Sequence, residues 1–129
     1  MAPHLRIARP TDHLEELARM YERGLNLTTV GEFRNHDGFD GIMLGAPGRE
    51  WHLEFTHEKG VAVGGAPNYE HLLVLYYPNP SEWNSVCNAM TEAGFTEVPP
   101  HNPYWQNKGR TYADLDGCHV VVQNASWEN

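Results

Sequence analysis

Cysteine is scarce in this chain. It holds two, Cys87 and Cys118, with no CxxC pair, so neither a thiolate zinc site nor a disulfide framework is expected. Positive charge is scarce too: 9 Lys and Arg stand against 17 Asp and Glu, a formal net charge of −8. A nucleic-acid partner needs a basic patch, and none is expected. No apolar run approaches the ~20 residues of a membrane-spanning helix, and "MAPHLRIARP" has no signal-peptide core. These absences leave a soluble, acidic, cytoplasmic protein with neither a membrane nor a nucleic acid as partner.

What is present is globular in composition. Hydrophobic residues make up 40%, and 12 Gly with 9 Pro point to many turns rather than to disorder. At 129 residues the chain is expected to form one domain with a real core.

The order of signals runs twice along the chain. "HLRIARP" reads as a strand, and "TDHLEELARMYERGL" as a helix. Asp12 and Glu15 have capping-box spacing, and Gly24 is the expected stop. Leu14, Leu17, Ala18, Tyr21 and Leu25 form one apolar stripe at helical spacing. Three strands, "LTTVGEF", "FDGIMLG" and "EWHLEFTH", follow, separated by the turn signals "HDG" and "APGR". The second half begins with the strand "HLLVLYY". A helix follows, with Asn79 as cap, Pro80 first, and Trp83, Val86, Cys87 and Met90 as its stripe. "TEVPP", "GRTYADL" and "CHVVVQN" complete it, the last two joined by an Asp116-Gly117 turn. The two caps lie 67 residues apart. The expected fold is therefore α+β, two tandem βαβββ modules at about 3–58 and 70–125, joined by a linker at about 59–69.

The strand "EWHLEFTH" puts Trp51, Leu53 and Phe55 on one face and His52, Glu54 and Thr56 on the other. The first face belongs to a core. The second is either a wet edge or the wall of a chemical site, since His-x-Glu is a competent pair of metal ligands.

The tandem modules, with "RIARPTDHLEELARMYERGLNL" opening the first and "DLDG" before the last strand, resemble the vicinal oxygen chelate superfamily of glyoxalase I, extradiol dioxygenases, fosfomycin-resistance and bleomycin-binding proteins. The resemblance implies curved mixed sheets around a central cavity, lined by the Glu54 face. It implies a homodimer, and a small-molecule ligand as partner. In the superfamily's enzymes a divalent metal takes one ligand from the first and one from the last strand of each module. Those positions fall at Arg6 and His71, and at Glu54 and Val121. Arginine has no lone pair for a metal and valine no donor, so the metal site is degenerate. A cofactor, if any, is a divalent metal on His52, Glu54 and His71.

Two function classes follow. In one, the chain is a lyase, isomerase or dioxygenase acting on a small polar or anionic molecule, with Glu54 and His71 catalytic. In the other it is a non-catalytic binder that sequesters a small molecule. In either, Arg6, His52, Tyr104, Trp105 and Gln123 are the candidate ligand-binding residues. Arg6 offers a planar fork for a carboxylate or phosphonate, or else pairs with Glu54 in a buried bridge. Tyr104 and Trp105, in "HNPYWQNKGRTY", could stack on a planar ligand or simply pin a turn.

Overall fold

The structure, a computed structural model, describes residues 2–66 and 68–127; Pro67, in the expected linker, lies outside them. The chain divides into two compact units between Gly64 and Gly65.

The first unit runs β1 (Leu5–Pro10), α1 (Leu14–Leu25), β2 (Thr28–His36), β3 (Phe39–Gly45) and β4 (Trp51–Glu58). Its sheet has the order β1-β4-β3-β2, with β1 parallel to β4 and the other pairs antiparallel. The apolar stripe of α1 is what holds the helix down: Leu17, Ala18 and Tyr21 are fully buried, and Leu14 and Leu25 nearly so. The Tyr21 and Phe55 rings lie 5.0 Å apart, so α1 covers the Leu53/Phe55 face. The Arg9 guanidinium caps that contact, 5.0 Å from the Phe55 centroid. On β4 the alternation therefore works as written, and His52 and Glu54 point away from the helix.

Two helix-end expectations fail for α1. Asp12 does not cap it. His13 occupies the N-cap without a side-chain bond, while the Asp12 carboxylate accepts from the N–H groups of Val63 and Gly64. A long-range tie has outcompeted the local cap, and the two N–H donors hold the Asp12 carboxyl below its usual range. Nor does Gly24 end the helix. It lies buried inside the last turn, and Asn26, in the left-handed region at φ 55°, closes it by donating to Glu22 O. Asn tolerates that conformation through its short polar side chain.

The second unit runs β5 (Leu72–Tyr76), α2 (Pro80–Glu92), β6 (Thr96–Val98), the 3-10 turn η1 (Pro103–Gln106), β7 (Gly109–Ala113) and β8 (His119–Gln123). Its sheet, in the order β5-β8-β7-β6, repeats the first topology, with β5 parallel to β8. Here the cap is as expected: Asn79 accepts from Ser81 and Glu82 N–H, with Pro80 at the first position. Trp83 anchors α2 on β8 by donating its indole N–H to Val122 O at 2.9 Å. The Asp116-Gly117 turn forms with Gly117 at φ 84°, and the Asp114 carboxylate ties it by accepting from Asp116 and Cys118 N–H. β8 is buried along its whole length.

Candidate functional site

In the first unit the candidate residues collect on the sheet face turned away from α1. The parallel register sets Arg6 opposite His52 and Ala8 opposite Glu54, which places Arg6, His52 and Glu54 on that one face. Arg6 Nε donates to His52 Nε2 at 2.8 Å, and His52 Nδ1 meets His4 Nε2 at 2.6 Å. The guanidinium has no lone pair, so His52 Nε2 must accept. His52 is then the neutral tautomer with its proton on Nδ1, which it donates to His4. Burial, helped by the Arg6 charge and by His4, lowers the His52 pKa, with Glu54 pulling the other way.

Glu54 is 9% exposed, and its carboxylate lies 3.5 Å from Arg6 Nη1. The expected ion pair exists, yet it is not a buried one: the Arg6 side chain is 48% exposed. β1 is an edge strand of its sheet. The second Nη contacts Met43 Sδ at 3.3 Å. Met43 was not among the expected site residues. It stands opposite Glu54 across the β3/β4 pair, and only the register of that pair could have revealed it.

This donor set does not fit a divalent metal. The free lone pair of His52 is taken by a permanent cation, and the same cation faces the Glu54 carboxylate. Among the described residues, no three His, Cys, Asp or Glu side chains gather around one point.

His71 departs from its expected place. It lies just before β5 and is exposed, and the register sets Leu72, not His71, opposite His119. The side chains that share the Val121 face are thus Leu72 and Val74 from β5, with Thr111 from β7. Alternation turns a residue at 71 to the other side. The match by chain spacing alone was one residue off.

The second unit gathers its own group on the face away from α2. His119 and Gln123 flank Val121 on β8, 7% and 5% exposed. A cavity of about 240 Å³ opens on this face, lined by Tyr69, Leu72, His101, Trp105, Thr111 and Val121 among others. Trp105 is therefore a cavity wall. Tyr104 is not: it is 69% exposed and meets the Trp105 ring edge-on at 4.9 Å. Asn102 sets this turn by accepting from Tyr104 N–H. Tyr69 carries no signal of its own in the sequence, because it stands in a stretch of linker composition. Its ring stacks on His119 at 4.6 Å.

Comparison with known proteins agrees with this architecture. Residues 5–56 match the YycE-like N-terminal domain and residues 70–124 the YycE-like C-terminal domain. The uncharacterized protein YycE of Bacillus subtilis (strain 168) is 44% identical over 124 residues, covering 96% of this chain and 89% of that protein. A 2.0 Å crystal structure of a YycE protein of unknown function from the same organism superposes with TM-score 0.90 at 42% identity, covering 99% and 93% of the two chains. Fold alone is shared with the trypanothione-dependent glyoxalase I of Leishmania major (TM-score 0.73, 15% identity, 97% and 88% covered). The same holds for the fosfomycin resistance protein FosX of Mesorhizobium loti (TM-score 0.68, 10% identity, 94% and 90% covered). With both halves matched in order, this chain belongs to the YycE-like family of the vicinal oxygen chelate superfamily.

Proposed function

We propose that this protein binds a small anionic molecule, a carboxylate or a phosphonate, against Arg6 on the face of the first sheet turned away from α1. The observation that carries this reading is the state of the guanidinium. It is pinned in direction by His52 yet half-exposed; among the described residues its five donors make hydrogen bonds to His52 and Met43, and one further Nη faces Glu54 at 3.5 Å. A fixed, unsaturated planar fork is a receptor for a bidentate anion. The B. subtilis YycE structure is provisionally assigned as a glyoxalase/fosfomycin resistance protein, and FosX is a fosfomycin resistance protein. Fosfomycin, a phosphonate, is therefore among the first ligands to try.

The test is a thermal-shift screen of carboxylates and phosphonates against the native chain and Arg6→Met. Ligands that raise Tm in the native protein should lose their effect in the variant. Equal shifts in both would remove Arg6 from recognition.

A second reading is catalytic. Glu54 is buried and within 3.5 Å of Arg6, so an acid held by Arg6 would present its neighbouring C–H to a carboxylate base. Hydrogen-to-deuterium exchange of a bound ligand's C–H in D₂O, abolished in Glu54→Gln, would mark the protein as an enzyme. Binding without exchange would mark it as a binder.

A further inference from the structure

We propose that the second unit carries a binding site on the α2 side of its sheet that takes an acidic α-amino acid, a molecule with one ammonium and two carboxylates. The inference does not rest on the Arg6 reading. Its starting point is a cavity of about 540 Å³ lined by Trp83, Glu97, Asn107, Lys108, Arg110 and Asn124 among others. That size accommodates a small molecule with room to spare.

The sequence makes the cavity by cutting a strand short. β6 pairs with β7 only from Thr96 to Val98, and Pro99 and Pro100 follow. Proline has no N–H with which to continue a ladder, so β6 gives no partner to Gly109 and Arg110, where β7 begins. The chain leaves through η1 and returns along Asn107 and Lys108, and the hollow lies between that return, β6 and Trp83 of α2. Alternation sets the side it opens on. Arg110 and Tyr112 share one face of β7, and Tyr112 donates its hydroxyl to Cys87 O of α2 at 3.4 Å. Glu97 stands opposite Tyr112 and so joins that face, whereas Thr111 shares the other with Val121.

The polar groups here are positioned but not used up. The Arg110 guanidinium lies over the Trp83 ring, 5.2 Å from its centroid, and Trp83 is itself fixed by its bond to Val122 O. Arg110 Nε is 4.0 Å from the Glu97 carboxylate, with the two side chains 44% and 54% exposed. An ion pair at that distance and exposure contributes little, so both partners remain open to a ligand. Asn124 Nδ2 donates to Tyr77 O and Pro78 O, which leaves Oδ1 as the atom it can offer.

The signs of the charges give the ligand its class. Two cations, Lys108 and Arg110, stand with one carboxylate, Glu97. A simple anion would meet Glu97 as a like charge, and a simple cation would meet Lys108 and Arg110. Two carboxylates and one ammonium on a single small molecule answer all three. The planar fork of Arg110 suits one carboxylate, and Lys108 serves the second as a point charge. Glu97 accepts from the ammonium, with Asn124 Oδ1 as a further acceptor.

The test is a two-dimensional ¹⁵N–¹H titration of the full chain with L-glutamate, L-glutamine, glutarate and L-lysine. Glutamate should shift the amides of Lys108, Arg110 and Asn124 and the Trp83 indole N–H. Glutamine lacks the second carboxylate and glutarate the ammonium, so each should bind about twofold to fivefold more weakly, the worth of one exposed ion pair. Lysine should leave these signals in place. Lys108→Met should erase the preference for glutamate over glutamine, and Glu97→Gln the preference for glutamate over glutarate. Both residues are exposed, so the variants should keep the native spectrum when unliganded. Shifts confined to Arg6 and His52, equal binding of all four probes, or preferences that survive in the two variants would each overturn the proposal. Arg6→Met should leave the glutamate shifts at Lys108 and Arg110 intact, whatever it does to anions at the first unit, so the two readings fail separately.

Discussion

Arg6 shows how one exposed side chain can be both constrained and available. Its ion pair with Glu54 is 3.5 Å long and half in water, so screening makes it a small contributor to stability. Arg6→Met should therefore lower stability by less than about 1 kcal/mol in chemical denaturation, rather than the 3 to 5 kcal/mol of a broken buried pair. A loss of several kcal/mol would mean that the guanidinium is structural. His52 and His119 give a second residue-scale prediction. Both have folded-state pKa values below the ordinary 6.5, chiefly because burial disfavours the charged ring. Between the folded value and 6.5 the unfolded chain binds more protons, so stability rises with pH through that window and is lost as pH falls below 6.5. His119→Phe keeps a ring against Tyr69 and removes one titration. It should flatten the acid limb of a Tm-against-pH curve, and an unchanged slope would remove His119 from the linkage.

At the scale of elements, the two helix starts predict opposite behaviour. Asn79→Ala should cost about 1 kcal/mol, because Asn79 satisfies two N–H groups of α2. Asp12→Ala removes no cap from α1. It should instead lower the protection of the Val63 and Gly64 amides, measured against their intrinsic exchange rates at each pH, as should acid, since a depressed carboxyl holds these donors above its unfolded pKa and releases them as pH falls through the folded one. Unchanged protection at both amides would contradict that assignment. Much of this level was legible in the sequence. Period-two alternation in "EWHLEFTH" set the faces of β4, and the α1 stripe marked its buried side, because those patterns are local consequences of strand and helix geometry. The role of Asp12 is not legible in the sequence, because its N–H partners lie 51 and 52 residues away, beyond any local pattern. The place of His71 is hidden for a related reason. Strand register depends on pairing with β8, and one residue of slip reverses every side chain. Thr111 and Tyr69 left no signal at all, since a threonine in a strand and a tyrosine in a linker are ordinary until a cavity forms between them.

For the whole molecule, the repeated topology has diverged into two faces of different chemistry. The first carries a half-exposed cation, the second a row of neutral buried polar atoms. A homodimer is the assembly we propose. β1 is an edge strand with Leu5 and Ile7 55% and 40% exposed, and such edges are commonly covered by another chain. Sedimentation should give twice the 14.6 kDa chain mass, and a mass of one chain at every concentration would refute it. No helix among the described residues is long and apolar enough to cross a membrane. In the proposed function Arg6 receives an anion. That role is tested most directly by isothermal titration of the best carboxylate or phosphonate into the native chain, Arg6→Lys, and the double variant Arg6→Met with Glu54→Gln. A fork-shaped receptor predicts about tenfold weaker binding in Arg6→Lys, which keeps the charge without the planar pair of donors, and a larger loss in the double variant. Native affinity in a folded double variant would contradict it.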